Sequence, residues 1–131
     1  MKTPGEIVTD FLRMWDQPGG FSASLPAYFT DATVYENVGM SRTTGIAEAL
    51  AVARQFEAMT DGGMLRVEML KLAVAGASVL TERIDHMVHA DGRTLFSIPV
   101  MGIFEVDGDR ITAWRDYFDT AGLEKTMAGG G

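Results

Sequence analysis

Residues 79–89 read Val79-Leu80-Thr81-Glu82-Arg83-Ile84-Asp85-His86-Met87-Val88-His89. The alternation of this run predicts a β-strand, with Val79, Thr81, Arg83, Asp85 and Met87 on one face. Leu80, Glu82, Ile84, His86 and Val88 fall on the other. Both faces carry apolar residues, so neither is simply solvated. An arginine and an aspartate that share a face with Val79 and Met87 need each other or further partners, because a charge taken out of water alone is expensive. For one isolated pair the plain alternative is a cross-strand ion pair on the surface.

On either side of this strand the chain continues as a meander. Met64 to Val74 turns through Ala75-Gly76-Ala77-Ser78 into it, and Asp91-Gly92 leads on into Arg93 to Val106. Asp107-Gly108 is a two-residue hairpin signal feeding Ile111 to Asp119. Pro99 lies inside a strand and cannot donate to a ladder, so a bulge or an edge position is expected there. Earlier in the chain, Ala32 to Val38 reads as a strand. Thr3-Pro4-Gly5-Glu6 reads as a capping box with proline at the first helical position. Ile7, Phe11, Met14 and Trp15 then form a buried helical stripe that Gln17-Pro18-Gly19-Gly20 ends. A short helical turn is expected over 22–29. Thr44 is the expected N-cap of a further helix carrying Ile46, Leu50, Ala53 and Phe56. A last short helix, 121–127, precedes a glycine tail, 128–131, expected to fray. No repeat or linker interrupts the chain, which reads as one domain over 1–131. The order implies an α+β fold, with helices on one face of a strongly curved, mostly antiparallel sheet that forms a cone with a closed apolar end.

Two further strands carry polar residues that fit a core poorly. In 111–119, Trp114, Asp116 and Phe118 share a face, placing a carboxylate between two large aromatics. Tyr35 and Asn37 likewise share a face and offer a hydroxyl and an amide. Phe96, Ile98 and Val100 can supply apolar walls. This pattern fits a pocket with buried ionisable groups, or alternatively a structural polar network.

Composition narrows the choice. The 131 residues are 47% hydrophobic with a formal net charge of −7, so a small neutral or apolar ligand fits better than nucleic acid or an anionic membrane surface. Cysteine is absent, which removes thiolate catalysis and cysteine-ligated metals. His86 and His89 differ in parity and point to opposite faces unless a bulge intervenes, so no metal is expected. Neither a phosphate loop nor a Gly-x-Ser-x-Gly elbow is present. With no apolar N-terminal run behind a basic patch, the expected location is the cytoplasm.

Thr81-Glu82-Arg83-Ile84-Asp85, Trp114-Arg115-Asp116-Tyr117-Phe118-Asp119 and Tyr35-x-Asn37 together resemble the limonene-1,2-epoxide hydrolase family. That family is a branch of the cone-shaped NTF2-like (cystatin-like, SnoaL-like) folds. The resemblance runs from about Val34 to Met127. It implies that Asp116, with Tyr35 and Asn37, holds and deprotonates a water, that Asp85 is the protonated donor to the epoxide oxygen, and that Arg83 bridges the two. It also implies a substrate wall of Met87, Ile98, Val100, Trp114, Phe118 and Leu123, a small apolar epoxide as substrate, and no cofactor. The segment before the first helix is very short here, which leaves the N-terminal closure of the pocket open.

The chemistry also has a physical basis. Opening an epoxide needs a nucleophile on carbon and a proton for the leaving oxygen. Two carboxyl groups supply both if one is ionised and the other neutral. Rivals on the same fold are an isomerase or polyketide-cyclase-like enzyme and a non-catalytic binding protein; a glycosidase fits an apolar cone poorly. The outward strip Leu80, Ile84 and Val88 predicts a homodimer.

Overall fold

The computed structural model describes residues 1–129. Its first helix, α1 (Pro4–Met14), starts where the sequence predicts: Thr3 accepts from the Glu6 N–H and the Glu6 side chain accepts from the Thr3 N–H. This reciprocal cap satisfies two backbone donors the helix leaves open. Helix α2 (Gly20–Tyr28) follows, then strands β1 (Phe29–Asn37) and β2 (Ser41–Thr44), helix α3 (Ile46–Thr60), strands β3 (Met64–Ala75), β4 (Ser78–Val88), β5 (Thr94–Asp107) and β6 (Arg110–Tyr117), and helix α4 (Thr120–Gly129). The strands form one six-stranded sheet in the order β2-β1-β6-β5-β4-β3. The β1–β6 pair is parallel and the other pairs are antiparallel. The α+β expectation therefore holds, as a mixed, mostly antiparallel sheet that does not close into a barrel. No helix among the described residues is long and apolar enough to cross a membrane.

Helices α1, α2 and α3 cover the inner face of the sheet. Phe11 and Leu25 are fully buried, and Trp15 nearly so, against Phe104, Ile111 and Trp114 of β5 and β6. Phe11 sits edge-on to Trp15 and Trp114, with ring centroids 5.3 and 5.5 Å apart, an arrangement that matches ring edges to ring faces. This aromatic plug closes the narrow end of the sheet. The wider end keeps a cavity.

Several local expectations are corrected. Strand β2 is absent from the sequence reading, which makes Thr44 the cap of α3. Thr44 instead ends β2 opposite Val34, and Gly45 caps the helix with φ 85°. Glycine is needed at this position. Its N–H donates to the Thr33 carbonyl, and a Cβ there would stand 2.7 Å from the Asp31 carbonyl oxygen. Strand β1 begins three residues earlier than predicted. Strand β6 stops at Tyr117, short of Phe118 and Asp119, and α4 continues through Gly129; Gly130 and Gly131 of the expected frayed tail lie outside the described residues. Val88 is buried, so of the outward strip Leu80, Ile84 and Val88 only Leu80 is exposed, with Ile84 half-buried. Pro99 takes the edge-like place expected of it. It pairs with Ile84 of β4 and lies two residues beyond the last β6 pair, Met101 with Tyr117, where no ladder requires its missing N–H.

Candidate active site

Register determines which polar side chains meet. Across the sheet, Asn37 of β1 lies beside Asp116 of β6, Asp116 beside Gly102 of β5, and Gly102 beside Thr81 of β4. The neighbouring row holds Tyr35, Trp114, Phe104 and Val79. Arg83 and Asp85 continue along β4 opposite Val100 and Ile98, past the end of β6. All these side chains face the helices, as the alternation of 79–89 and 111–119 requires.

Arg83 joins the two carboxyl groups. Its Nε donates to Asp85 Oδ1 at 2.9 Å, and its Nη2 to Asp85 Oδ2 at 3.2 Å and to Asp116 Oδ2 at 2.6 Å. Nη1 donates to Thr81 Oγ1 at 3.0 Å, and the Thr81 hydroxyl in turn donates to the Gly102 carbonyl at 3.2 Å. The guanidinium carbon lies 5.8 Å from the centre of the Phe104 ring. Arg83 is fully buried, while Asp85 and Asp116 retain 6% and 4% exposure. The surface ion pair allowed by the sequence is thereby excluded. The other oxygen of Asp116, Oδ1, accepts from the Trp114 indole N–H at 2.7 Å. Trp114 is held by parallel stacking on Tyr35, with centroids 4.0 Å apart and planes 12° apart, and by Phe104 on the same row. Asn37 Nδ2 donates to the Tyr35 hydroxyl at 3.2 Å and to Ser41 Oγ at 3.3 Å. The phenol therefore keeps its own proton free to donate.

The electrostatics follow from burial. Loss of solvent pushes the Asp116 carboxyl above its ordinary range; Arg83 and the Trp114 N–H oppose this and the nearby Asp85 reinforces it. Burial likewise raises the Tyr35 phenol, with Asp116 adding to it, so the phenol stays protonated. Burial weighs against the charged form of Arg83, but the attraction of Asp116 and Asp85 more than offsets it and keeps the guanidinium charged.

Asp85 and Asp116 face a cavity of about 200 Å³. All six residues expected to form the substrate wall line it: Met87, Ile98, Val100, Trp114, Phe118 and Leu123. Tyr35 and Asn37 line it too. Arg83 does not; it lies behind the carboxyl groups and touches the cavity only through them. The closed end is Trp15, Phe21, Phe56 and Leu65, and the rim includes Met40, Gln55, Met59 and Met127. Helix α4 and the β1–β2 turn thus stand at the mouth.

Sequence reasoning passes over Gly102, whose lack of a side chain lets Arg83 cross β5, and over the hydroxyl of Thr81. A glycine inside a strand is itself a sign of close approach by another group, so that signal was available. Met40 and the α3 residues Val52 and Met59 give no such sign, because only the fold brings them to the cavity. His86 and His89 lie apart from it: His86 meets Ser97 and Glu68, and His89 meets Asp91.

The chain is similar in sequence and fold to known proteins. The model of the limonene-1,2-epoxide hydrolase catalytic domain matches residues 3–128. The epoxide hydrolase EphG of Mycobacterium tuberculosis (strain ATCC 25618 / H37Rv) is 37% identical over 107 residues, which are 82% of this chain and 68% of that protein. A solved LEH-like epoxide hydrolase from M. tuberculosis superposes with a TM-score of 0.74 at 34% identity, covering 93% of this chain and 82% of that one. A SnoaL-like protein from Shewanella putrefaciens CN-32 reaches a TM-score of 0.78 at 12% identity, over 98% of this chain and 87% of its own, a likeness of fold alone. With the family model spanning nearly its whole length and a curated relative this similar, the chain belongs to the limonene-1,2-epoxide hydrolase family.

Proposed function

We propose that this protein is a cofactor-independent, cytoplasmic epoxide hydrolase that adds water to a small apolar epoxide and releases a vicinal diol. The observation that carries the reading is the buried guanidinium of Arg83, shared by two carboxyl groups that both face one apolar cavity. Two carboxylates held by a single buried cation favour a state with one proton between them, since one positive and one negative charge then balance. Such a pair can take a proton and give one in the same step.

Asp116 is the base. It has Asn37 beside it in register and the Tyr35 phenol on the neighbouring row, so a water there meets a phenol and an amide as well as the carboxylate. Burial makes its ionised form a stronger base than a free aspartate. Asp85 is the acid, placed against the hydrocarbon wall of Met87, Ile98 and Val100 where the epoxide carbons fit. In the reaction Asp116 takes a proton from water as the oxygen bonds to an epoxide carbon. The C–O bond breaks and its oxygen takes the proton of Asp85. Asp116 ends protonated and Asp85 ionised, and one proton returned from Asp116 to Asp85 restores the site. Arg83 keeps both groups oriented throughout and touches neither substrate nor water.

Single-turnover hydrolysis of a panel of cyclic and linear epoxides in ¹⁸O-labelled water is the test: label is expected in the diol from the first turnover. Unlabelled oxygen in that first diol would mean attack by a protein carboxylate, and no diol from any member would remove the proposed activity. A pH profile adds a second check. Protonation of Asp116 removes the base, so kcat/KM falls on the acid side. Because burial raises this carboxyl, the fall is expected at a pH above the ordinary aspartate value of about 4. An acid limb at or below that value contradicts the assignment.

The protein is further proposed to be a homodimer joined through the outer face of the sheet. Leu80, Met101 and Tyr117 are exposed there at 39%, 51% and 49%, with the half-buried Ile84 and Ile103 between them. Sedimentation at micromolar concentration is expected to give twice the chain mass, and Leu80→Glu with Met101→Glu to give a folded monomer. A native monomer rules the dimer out.

A further inference from the structure

Gly102 stands in the middle strand of the three that build the site. Arg83 starts on β4 and Asp116 on β6, and the guanidinium must cross the inner face of β5 to join them. At the crossing point β5 presents Gly102. A Cβ built there would lie 2.3 Å from Arg83 Nη1, 2.5 Å from Asp116 Oδ1 and 3.1 Å from Thr81 Oγ1. Contact between non-bonded carbon and nitrogen begins well beyond such distances, so even one methyl group displaces the bridge. The neighbouring inward residues of β5, Val100 and Phe104, are both large and buried, so the gap is one residue wide.

Backbone conformation gives no reason for glycine here. Gly102 lies within a regular strand and is not among the residues with positive φ, so alanine fits its φ and ψ. In a strand interior glycine is ordinarily the weaker choice, having greater chain entropy to lose and no side chain to pack. By propensity alone, alanine should stabilise. A penalty can therefore come only from the groups that fill the missing side chain's space.

We infer that Gly102 is a positioning residue: its bare backbone is the opening through which Arg83 reaches Asp116, and it acts on the reaction through that guanidinium and the Asp116 carboxylate it holds. The inference rests on the proposed roles of Asp85, Asp116 and Arg83, and it adds a requirement that those roles do not contain. It also accounts for Thr81. The Thr81 hydroxyl donates to the carbonyl of Gly102 and accepts from Arg83, so it pins the arginine to the same point of β5.

The test is a double-mutant cycle of Gly102→Ala and Arg83→Lys, read in both thermal midpoint and single-turnover rate. Lysine keeps the charge but lacks the Nη1 that the new methyl would strike. Gly102→Ala alone is expected to lower the rate about 100-fold with little change in KM, and to move the acid limb of the pH profile, since Asp116 loses part of its counter-charge. In the Arg83→Lys background the contact with Nη1 is gone and only that with Asp116 remains, so the same change should cost at least tenfold less in rate and lower the midpoint less. Equal losses in both backgrounds, in rate and midpoint, would overturn the inference, because the guanidinium would then have no part in the requirement for glycine. If Gly102→Ala alone fails to fold, recovery of folding in the double variant supports the inference, and failure of both overturns it. The midpoint arm needs no turnover, so its result stands apart from the failure of the epoxide reading, which shows as absence of diol from the native enzyme.

Discussion

Asp116→Asn is expected to leave a folded protein whose rate of diol formation is lower by on the order of 10⁴-fold, with KM changed little. The loss has two sources. Asparagine cannot accept a proton from water, so the base is gone. The change also alters its partner, because Arg83 is then left with Asp85 as its single counter-charge, through contacts of 2.9 and 3.2 Å. That pairing favours ionised Asp85, which has no proton to give. One substitution therefore disables the acid as well as the base. The fold survives because the remaining charges balance and the amide oxygen can still accept from one of the two donors, Trp114 or Arg83.

Asp85→Asn should produce a loss of similar size by a different route. Asp116 becomes the sole partner of the guanidinium and is held in its ionised form, so water is still activated but the epoxide oxygen finds no proton. The two losses should not add: the double variant should be little slower than either single one, as expected of groups that work as a unit. The measurements are single-turnover diol formation and the thermal midpoint of each variant. Turnover within tenfold of the native rate in either single variant would remove that carboxyl from the reaction.

How much of this site is legible without coordinates depends on the kind of information each residue carries. Period-two alternation places Arg83 with Asp85, and Asp116 with Trp114 and Phe118, because side-chain direction in a strand is a local property. Whether Asp116 meets Arg83 is not local. It depends on the β4–β5–β6 register, which the connections at 89–93 and 108–109 set and which the bulges at Leu95 and Thr112 modify. The family resemblance supplied that meeting; alternation did not. Strand β2 went unseen because four residues, Ser-Arg-Thr-Thr, have no apolar alternation to show. That Val88 is buried rather than exposed was equally out of reach, because alternation gives a side chain's face and not what covers it. The rim of the cavity is harder still, since Met40 and Met127 come from a turn and a terminal helix that only the tertiary fold brings together.

Arg83→Met should have the largest effect on stability. It removes a cation without changing the apolar stem much and leaves Asp85 and Asp116 buried with no counter-charge. Breaking a buried ion pair from one side typically costs about 3–5 kcal/mol, which for a chain of this size lowers the midpoint by about 10–20 °C near neutral pH. The sign of its pH dependence separates this cause from simple loss of packing. In the native protein Arg83 holds the Asp116 carboxyl down against burial. Without it, burial and the neighbouring carboxyl are opposed only by the Trp114 N–H and raise the folded-state pKa further above the unfolded value. A carboxyl raised in the folded state favours folding at low pH, where both states are protonated and neutral. It loses that contribution as pH rises through the folded-state pKa, because the unfolded chain ionises more easily. The midpoint of Arg83→Met should therefore approach the native value near pH 4 and fall away steadily toward about pH 8. A deficit of constant size over that range would assign the loss to packing and leave the two carboxyl groups without the electrostatic coupling on which the proposed proton transfer depends.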